Sequence, residues 1–114
     1  MIALGLDTSN STTSAALYDS DTGVLVQKKQ LLPVKEGELG LRQSDAVFHH
    51  TRQLPDMVEA LFADAKTQGI SASFSAVGAS VRPCETEGSY MPCFLVGLNT
   101  AMALSSVFKK PLFR

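Results

Sequence analysis

The sequence predicts an α/β domain, in which an antiparallel three-strand meander is followed by a helix, a strand, a second helix and the start of a further strand. Two observations carry this prediction. The first third of the chain has short strand-forming runs separated by turn residues, and the remainder alternates helical periodicity with one short apolar run. This order makes a mixed sheet with helices packed on it. A chain of 114 residues has the size of a single domain.

The meander comes from three segments in the first third. Residues 2–7 (IALGLD) form a short apolar run that indicates a buried strand, and the polar stretch 8–11 then turns the chain. Residues 12–18 (TTSAALY) form the second strand, and residues 19–23 (DSDTG) are typical of a turn. Residues 24–32 alternate in character, which predicts an edge strand or a strand with one solvated face.

A long helix is predicted after a glycine-containing loop at residues 33–41. It begins near Ser44-Asp45, where either residue can cap it, and Gly69 is a natural stop. Pro55 either kinks the helix or lies in its first turn, after a separate turn around His50. One apolar stripe has the helical period, and its members are Leu54, Met57, Val58, Leu61, Phe62 and Ala65.

The last third predicts a buried strand at residues 74–81 (FSAVGASV), a loop at residues 82–90 and a second helix. This helix runs from about Met91 or Pro92 to residue 108. It is apolar almost all round and must therefore be covered on more than one side. Gly97 and Ala101 lie four residues apart and offer a flat place for close backbone approach. Residues 109–114 then indicate a turn that opens another strand.

Charge and cysteine content exclude several classes of function. Ten basic and eleven acidic residues give a net charge of −1, so the chain has no basic face of the kind that binds a polyanion. Cys84 and Cys93 make neither a disulfide framework nor a complete thiolate metal site, and reduced thiols indicate a cytoplasmic protein. The N-terminus has no signal-peptide pattern, and the most apolar stretch, residues 91–98, is too short to span a bilayer.

The adjacent histidines His49 and His50 do not predict a metal site. Neighbours on a helix point about 100° apart, whereas chelation by two residues of one helix favours i, i+4 spacing, and no Cys, Asp or Glu completes a ligand set. We expect His50 to pack beside Leu54 or to form a hydrogen bond across the start of the helix. No nucleophile–base motif with a recognisable local signature is present.

Three segments resemble the glycoprotease family, whose members have been labelled O-sialoglycoprotein endopeptidases. Residues 2–14 (IALGLDTSNSTTS) are similar to the opening of the family, a strand and an acidic residue followed by a hydroxyl-rich turn and a second strand. Residues 50–55 (HTRQLP) resemble its His-x-x-x-Leu-Pro segment, and residues 88–98 (GSYMPCFLVGL) resemble its Gly-rich loop and second helix. The three segments keep the family's order along essentially the whole chain.

The resemblance implies the actin/hexokinase-like (ribonuclease H-like) fold, two lobes with ATP in the cleft between them. The chain matches the first lobe, and we expect the second lobe to be absent from it. The family makes threonylcarbamoyladenosine in tRNA, so the parent protein would be a threonylcarbamoyl transferase. ATP or the adenylate and a divalent metal or iron are expected in the full-length protein, and none of them in this fragment alone, which should be catalytically silent.

The resemblance also implies two sets of site residues. The first is the turn after the opening strand, which would face the nucleotide phosphates and consists of Asp7, Thr8, Ser9, Asn10, Ser11 and Thr12. Hydroxyls and backbone N–H groups can donate to phosphate oxygens there, and the acidic residue can hold a metal-bound water. The second is the loop residues Gly88, Ser89 and Tyr90, which would lie near the acyl group. The alternatives are the capping hydrogen bonds of an ordinary hairpin and of a helix start.

Two other functions remain open. A non-catalytic scaffold of the same pathway would use the apolar second helix to form a homodimer, or a heterodimer with a related family subunit, because a large exposed apolar patch is costly for a monomer. Such a protein would meet tRNA only through the full complex and would have no contact with a membrane. The weaker alternative is a lobe of a small-molecule kinase.

Overall fold

The computed structural model describes residues 1–9, 11–33, 42–70, 73–82 and 92–114. The predicted order of elements is confirmed. The seven elements are β1 (Ile2–Thr8), β2 (Thr12–Asp19), β3 (Leu25–Leu31), α1 (Gln43–Thr67), β4 (Ala76–Ala79), α2 (Phe94–Phe108) and β5 (Leu112–Phe113). The strand predicted over residues 74–81 is shorter at both ends than expected.

The strands form one mixed five-stranded sheet in the order β3-β2-β1-β4-β5. β1 pairs antiparallel with β2, and β2 pairs antiparallel with β3. β4 runs parallel to β1, with Leu4 opposite Val77, and β5 runs parallel to β4. The hairpin between β2 and β3 closes with Gly23 at φ +76° and a bond from its N–H to the Asp19 carbonyl. The predicted meander and the predicted mixed sheet are both confirmed.

Both helices pack on one face of this sheet, α1 over β2 and β3 and α2 over β1 and β4. Strand alternation directs the larger apolar side chains of β1 and β2 to that face, and these pack against the stripe of α1. The buried members at this interface include Leu4, Leu6, Ala15, Leu17, Val26, Leu54, Leu61, Val77 and Ala101. The opposite face of β1 carries smaller side chains that are half-buried, Ala3, Gly5 and Asp7.

α1 is one continuous helix of 25 residues with Pro55 in its interior. Of the two expected positions for Pro55, the first-turn position is therefore wrong. The expected cap at Ser44 or Asp45 is also wrong, because the N-cap is Arg42 and no side chain caps it. Asp45 instead lies in the first turn, where a carboxylate is favourable near the N-terminal helix dipole.

The predicted stop at Gly69 is confirmed in detail. The helix ends at Thr67 with Gln68 as its C-cap, and Gly69 follows with φ +80°. The Gly69 N–H donates to the Lys66 carbonyl, and the Ile70 N–H donates to the Ala65 carbonyl at 2.9 Å. This pair of bonds is a Schellman motif, which requires a left-handed residue at the position of Gly69.

α2 begins at Phe94, two residues later than Pro92, and Met91 lies outside the described residues. Gly97 and Ala101 are buried against the sheet, so the predicted flat contact surface is confirmed. Four large apolar side chains of α2 are exposed, Leu95 and Met102 on the side away from the sheet and Val107 and Phe108 in the last turn. Among the described residues, neither helix combines the length and the apolar character needed to cross a bilayer.

Candidate functional site

The carboxyl ends of β1 and β4 bring Asp7 and Ser80 together at one edge of the sheet. The two strands are parallel neighbours, and parallel strands place their carboxyl ends side by side. The Ser80 hydroxyl donates to Asp7 Oδ1 at 2.7 Å, and the backbone N–H of Ser9 donates to the same oxygen at 2.9 Å. The Asp7 carboxylate is thus held in one orientation at the start of the β1–β2 turn.

A cleft of about 330 Å³ lies beside this carboxylate, on the sheet face opposite the helices. Its floor contains the small residues Gly5, Ala16 and Gly78. A Cβ built on Gly5 meets no atom within 4 Å, so the missing side chain leaves open space above the floor. Asp7 and Ser80 supply polar groups at one end. The cleft can therefore admit a small ligand or side chain that meets one oriented carboxylate and one hydroxyl.

Thr8 does not face this cleft. Its side chain is fully buried on the helix side of the sheet. The hydroxyl donates to the Cys93 carbonyl at 2.8 Å and accepts from the Gly97 N–H at 2.9 Å. Both hydrogen-bonding directions of the hydroxyl are thus occupied, and the prediction that this hydroxyl contacts phosphate is not supported by the geometry. Thr8 joins β1 to the first turn of α2.

The rest of the predicted turn is more accessible. Ser11 is exposed, and Ser9 and Thr12 are half-buried. Asn10 lies outside the described residues, as do Gly88, Ser89 and Tyr90. Their predicted roles beside phosphate and the acyl group stay predictions. The hydroxyls that remain available at the turn are compatible with hydrogen bonding to phosphate oxygens.

His50 is fully buried and holds the turn from the side of α1. Its Nε2 lies 2.6 Å from the Ser9 carbonyl oxygen, and its Nδ1 lies 2.7 Å from the hydroxyl oxygen of Thr13. The expected hydrogen bond across the helix start is therefore wrong, because α1 begins seven residues earlier at Gln43 and His50 bonds to the β1–β2 turn instead. Burial lowers the pKa of His50 below its ordinary value of 6.5, while its bond to Ser9 and the charge of Asp7 act in the opposite direction.

The described residues contain no group of three or more His, Cys, Asp or Glu side chains that could hold a metal ion. Of the described residues that line the candidate site, only Asp7 carries a carboxylate, which suits a single contact to a metal-bound water. Cys93 is a free, buried thiol, and its burial raises its pKa. Cys84 lies outside the described residues.

The sequence patterns did not single out three residues of this site, Ser80, Thr13 and Gln53. Ser80 follows β4 and meets Asp7 only because β4 joins β1 in the sheet. Thr13 donates from its hydroxyl to Gln53 Oε1 at 2.8 Å. Strand alternation could have placed Thr13 on the helix side, since it shares a face with Ala15 and Leu17. No local sequence pattern predicts the contact of Ser80 with Asp7.

A three-strand meander with two crossover helices on one face of a mixed sheet is the first-lobe arrangement of the ribonuclease H-like and actin-like folds, so the fold class expected from the sequence is confirmed. Two solved structures from Pseudomonas aeruginosa have this arrangement. YeaZ is 19% identical, with a TM-score of 0.62 over 97% of this chain and 41% of that chain. An uncharacterized protein with similarity to peptidase YEAZ is 18% identical, with a TM-score of 0.63 over 98% of this chain and 41% of that chain.

The chain therefore spans about two-fifths of the length of these solved chains. No protein-family model and no curated protein matches the sequence.

Proposed function

We propose that the chain is the N-terminal lobe of a glycoprotease-like protein of the threonylcarbamoyladenosine pathway of tRNA. The observation that carries the proposal is the superposition of nearly the whole chain on YeaZ, with a TM-score of 0.62 over 97% of its residues. The three sequence segments that resemble the glycoprotease family support it, because they occur in the family's order. The same proposal places the protein in the cytoplasm, where tRNA is modified.

In this proposal the carboxyl ends of β1 and β4, which carry Asp7 and Ser80, form one wall of a nucleotide cleft. Asp7 holds a metal-bound water, and the turn hydroxyls of Ser9, Ser11 and Thr12 donate to phosphate oxygens, together with Asn10. The fixed orientation of the Asp7 carboxylate supports this role, because its two donors, Ser80 and the Ser9 amide, occupy only Oδ1. Oδ2 is the atom that faces the ligand in this proposal.

The reaction of the parent protein is the transfer of a threonylcarbamoyl group from an adenylate to the exocyclic amine of an adenosine beside the anticodon. Gly88, Ser89 and Tyr90 lie near the acyl group in this proposal. The second lobe of the fold supplies the adenosine site and the metal ligands. Electrostatic stabilisation of a transition state needs donors from both walls of the cleft, so this lobe by itself binds ATP weakly and does not turn over.

Depletion of the gene in its own host tests the proposed pathway. The measured quantity is the fraction of threonylcarbamoyladenosine in total tRNA, determined by mass spectrometry. We expect this fraction to fall on depletion, to recover with the wild-type gene and to recover less with Asp7→Asn. An unchanged fraction after depletion would contradict the pathway. Full recovery with Asp7→Asn would contradict the role of the carboxylate while leaving the pathway in place.

A titration with magnesium ATP tests the requirement for two walls. Calorimetry on the 114-residue chain should give no saturable binding, whereas the product of the whole gene, or its complex with partner subunits, should bind. Tight binding to the 114-residue chain alone would show that one wall is sufficient and would overturn that part of the proposal.

The second candidate is a non-catalytic scaffold that dimerises through α2, either with a second copy or with a related family subunit. The observation that favours it is the exposed apolar side of that helix, where Val107 is 73% and Phe108 is 54% exposed. An apolar cavity of about 490 Å³ lies beside this region and is lined in part by Phe62, Phe74 and Phe108. Contiguous apolar surface of this kind marks interaction sites.

Sedimentation velocity tests the interface. The scaffold predicts a dimer in solution that Val107→Glu dissociates, because the substitution places a charge in the apolar contact. Asn99→Glu is the matched control, since Asn99 is an exposed polar residue of the same helix and its substitution removes no apolar contact. A wild-type chain that is monomeric at all concentrations, also when mixed with related subunits, would contradict the scaffold.

A further inference from the structure

A series of hydrogen-bonded side chains connects both ends of the β1–β2 turn to the edge strand β3. The series passes through two residues of α1. Nε2 of His50 contacts the carbonyl of Ser9, the first residue of the turn, and Nδ1 contacts Thr13, which follows the turn. The imidazole therefore bridges the two legs of the turn. His50 and Thr13 are both fully buried, so no solvent competes for these contacts.

The contacts continue from Thr13 to β3. The Thr13 hydroxyl meets Gln53 Oε1 at 2.8 Å, and Gln53 Nε2 donates to the Leu31 carbonyl at 3.4 Å. Gln53 lies three residues after His50 on α1, which places both side chains on the same side of the helix. Leu31 pairs with Thr12 across the β2–β3 ladder. The path thus runs from the turn, through α1, to the end of the edge strand.

The count of donors and acceptors allows two complete arrangements of this path. A carbonyl only accepts, so Nε2 of His50 carries a hydrogen in both arrangements. In the charged arrangement Nδ1 donates to Thr13, Thr13 donates to Gln53 Oε1, and the Gln53 amide donates to Leu31. In the neutral arrangement Nδ1 accepts from the Thr13 hydroxyl, and Gln53 must rotate so that its NH2 group donates to Thr13. The Leu31 carbonyl then loses its side-chain donor.

We propose that His50, Thr13 and Gln53 form a two-state hydrogen-bond relay that positions the β1–β2 turn, and that one proton on His50 selects between the two states. His50 is a positioning residue in this scheme, because it contacts the turn backbone and acts on the cleft only through Ser9. The relay is a property of the chain itself and does not depend on the proposed role in tRNA modification.

In the part of the chain that the structure describes, Asp7 and His49 are the titratable groups whose charge acts on His50. Asp7 at the end of β1 favours the charged ring, and His49 on α1 disfavours it. Lys28 of β3 is paired with Asp64, which lies fourteen positions further along α1 and so about 20 Å from His50 at 1.5 Å per residue. Burial outweighs the favourable contacts and lowers the pKa of His50. The bonds from Thr13 to Gln53 and from Gln53 to Leu31 in the structure are those of the charged arrangement. Because the pKa of His50 is lowered, the neutral arrangement is the one that fills at neutral pH, and the charged arrangement fills as the pH falls.

The relay connects the turn to the candidate site through adjacent residues. The Ser9 carbonyl is held by His50, while the Ser9 N–H is held by Asp7. Nε2 donates to the Ser9 carbonyl in both arrangements, and protonation strengthens this bond because a charged imidazolium is the stronger donor. The stronger bond draws the Ser9 carbonyl towards the ring and moves the adjoining peptide groups. Protonation of His50 thus has a direct structural path to the orientation of the Asp7 carboxylate.

Nuclear magnetic resonance on the 114-residue chain tests the relay directly. We would follow the ring nitrogens of His50, the side-chain amide of Gln53 and the backbone amides of Ser9 and Leu32 from about pH 8 to about pH 5, the range in which histidine titrates. The Leu32 N–H donates to the Ser11 carbonyl and directly follows the Leu31 carbonyl, so it reports on the far end. We expect all four signals to titrate with the midpoint of His50, which the ring nitrogens give independently of His49.

Substitution at Thr13 separates a relay from a merely structural contact. In Thr13→Val the His50 ring should still titrate, but the titration of Gln53 and Leu32 should be lost, and Thr13→Ser should restore it. Gln53→Met is the second variant, since Gln53 is only half-buried, and it should abolish the Leu32 response alone. The proposal is overturned by wild-type Gln53 and Leu32 signals that do not follow His50, by Gln53 or Leu32 responses that persist in Thr13→Val, or by a Leu32 response that persists in Gln53→Met.

Discussion

The hydroxyl of Thr8 occupies the place where α2 would otherwise close its own first-turn hydrogen bond, and Gly97 makes room for it. Oγ1 of Thr8 accepts from the Gly97 N–H at 2.9 Å and donates to the Cys93 carbonyl at 2.8 Å. Residues 93 and 97 are four apart, the spacing of a helical bond, so the hydroxyl bridges the two groups. β1 and α2 are therefore fixed to each other at the end of the strand that carries Asp7.

Gly97→Ala should destabilise the protein. A Cβ at this position would lie 3.0 Å from Thr8 Oγ1 and 3.4 Å from its Cγ2, and overpacking in a well-packed core costs about 1–3 kcal/mol. Alanine gains about 1 kcal/mol over glycine in a helix interior, which offsets part of this cost. The free energy of unfolding, measured by urea denaturation, should therefore fall by up to about 2 kcal/mol. Gly5→Ala is the control, because its Cβ would meet nothing within 4 Å. Equal losses in the two variants would contradict the close approach at Gly97.

Thr8→Val should cost more than Thr8→Ser. Valine keeps the methyl volume but takes the acceptor from the Gly97 N–H and leaves the Cys93 carbonyl with the Val96 N–H alone, at 3.3 Å. The loss of a partner for a buried backbone group costs about 2 kcal/mol. Serine keeps the hydroxyl and loses one methyl group, which costs about 1 kcal/mol. Chemical denaturation of both variants gives the comparison. A valine variant that is as stable as the wild type would show that the bridge contributes nothing to stability.

The stability of the protein should depend on the charge of His50. Its folded pKa lies below the ordinary value of 6.5 because the ring is buried, so the unfolded chain binds a proton at a pH where the folded chain does not. The free energy of unfolding therefore falls as the pH decreases from 6.5, and the fall ends below the folded pKa. Its slope is at most about 1.4 kcal/mol per pH unit.

Two histidine variants check this origin of the pH dependence. His50→Gln should remove the slope, since glutamine does not titrate and can still donate to Ser9. His49→Gln should keep it, because His49 is adjacent on α1 but is not part of the buried contacts. A slope that survives in His50→Gln would assign the effect to another group. Thermal unfolding at several pH values supplies the measurement.

The sequence predicts the order of the helices and strands better than it predicts whether a single polar residue points into the core or towards solvent. The helix stop at Gly69 and the flat contact at Gly97 could be predicted, because each follows from the lack of a side chain. Thr8 was placed in the turn, whereas β1 extends through it. The alternation of Leu4 and Leu6 with half-buried residues does assign Thr8 to the core face, so the signal was present one residue beyond the predicted strand end.

Other features depend on contacts that no local pattern contains. Ser80 reaches Asp7 only through the pairing of β4 with β1, which joins residues more than seventy positions apart in the sequence. The start of α1 at Gln43, without a side-chain cap, also differs from the prediction. Ser44 and Asp45 are good capping residues, but the helix begins before them, so neither can act as the cap.

Substitutions just after the C-terminal ends of α1 and α2 should change the free energy of unfolding in opposite directions. Gly69 has φ +80° and Lys109 has φ 54°, and a residue with a Cβ pays about 1–2 kcal/mol in this region. Gly69→Ala should therefore lower the free energy of unfolding by about 1 kcal/mol, although its Cβ would meet no atom within 4 Å. Lys109→Gly should raise it by a few tenths of a kcal/mol, because relief of the strain exceeds the added entropy of the unfolded chain. Urea denaturation of the two variants should thus move the midpoint in opposite directions. A shift of the same sign in both would contradict a backbone origin at one of the two ends.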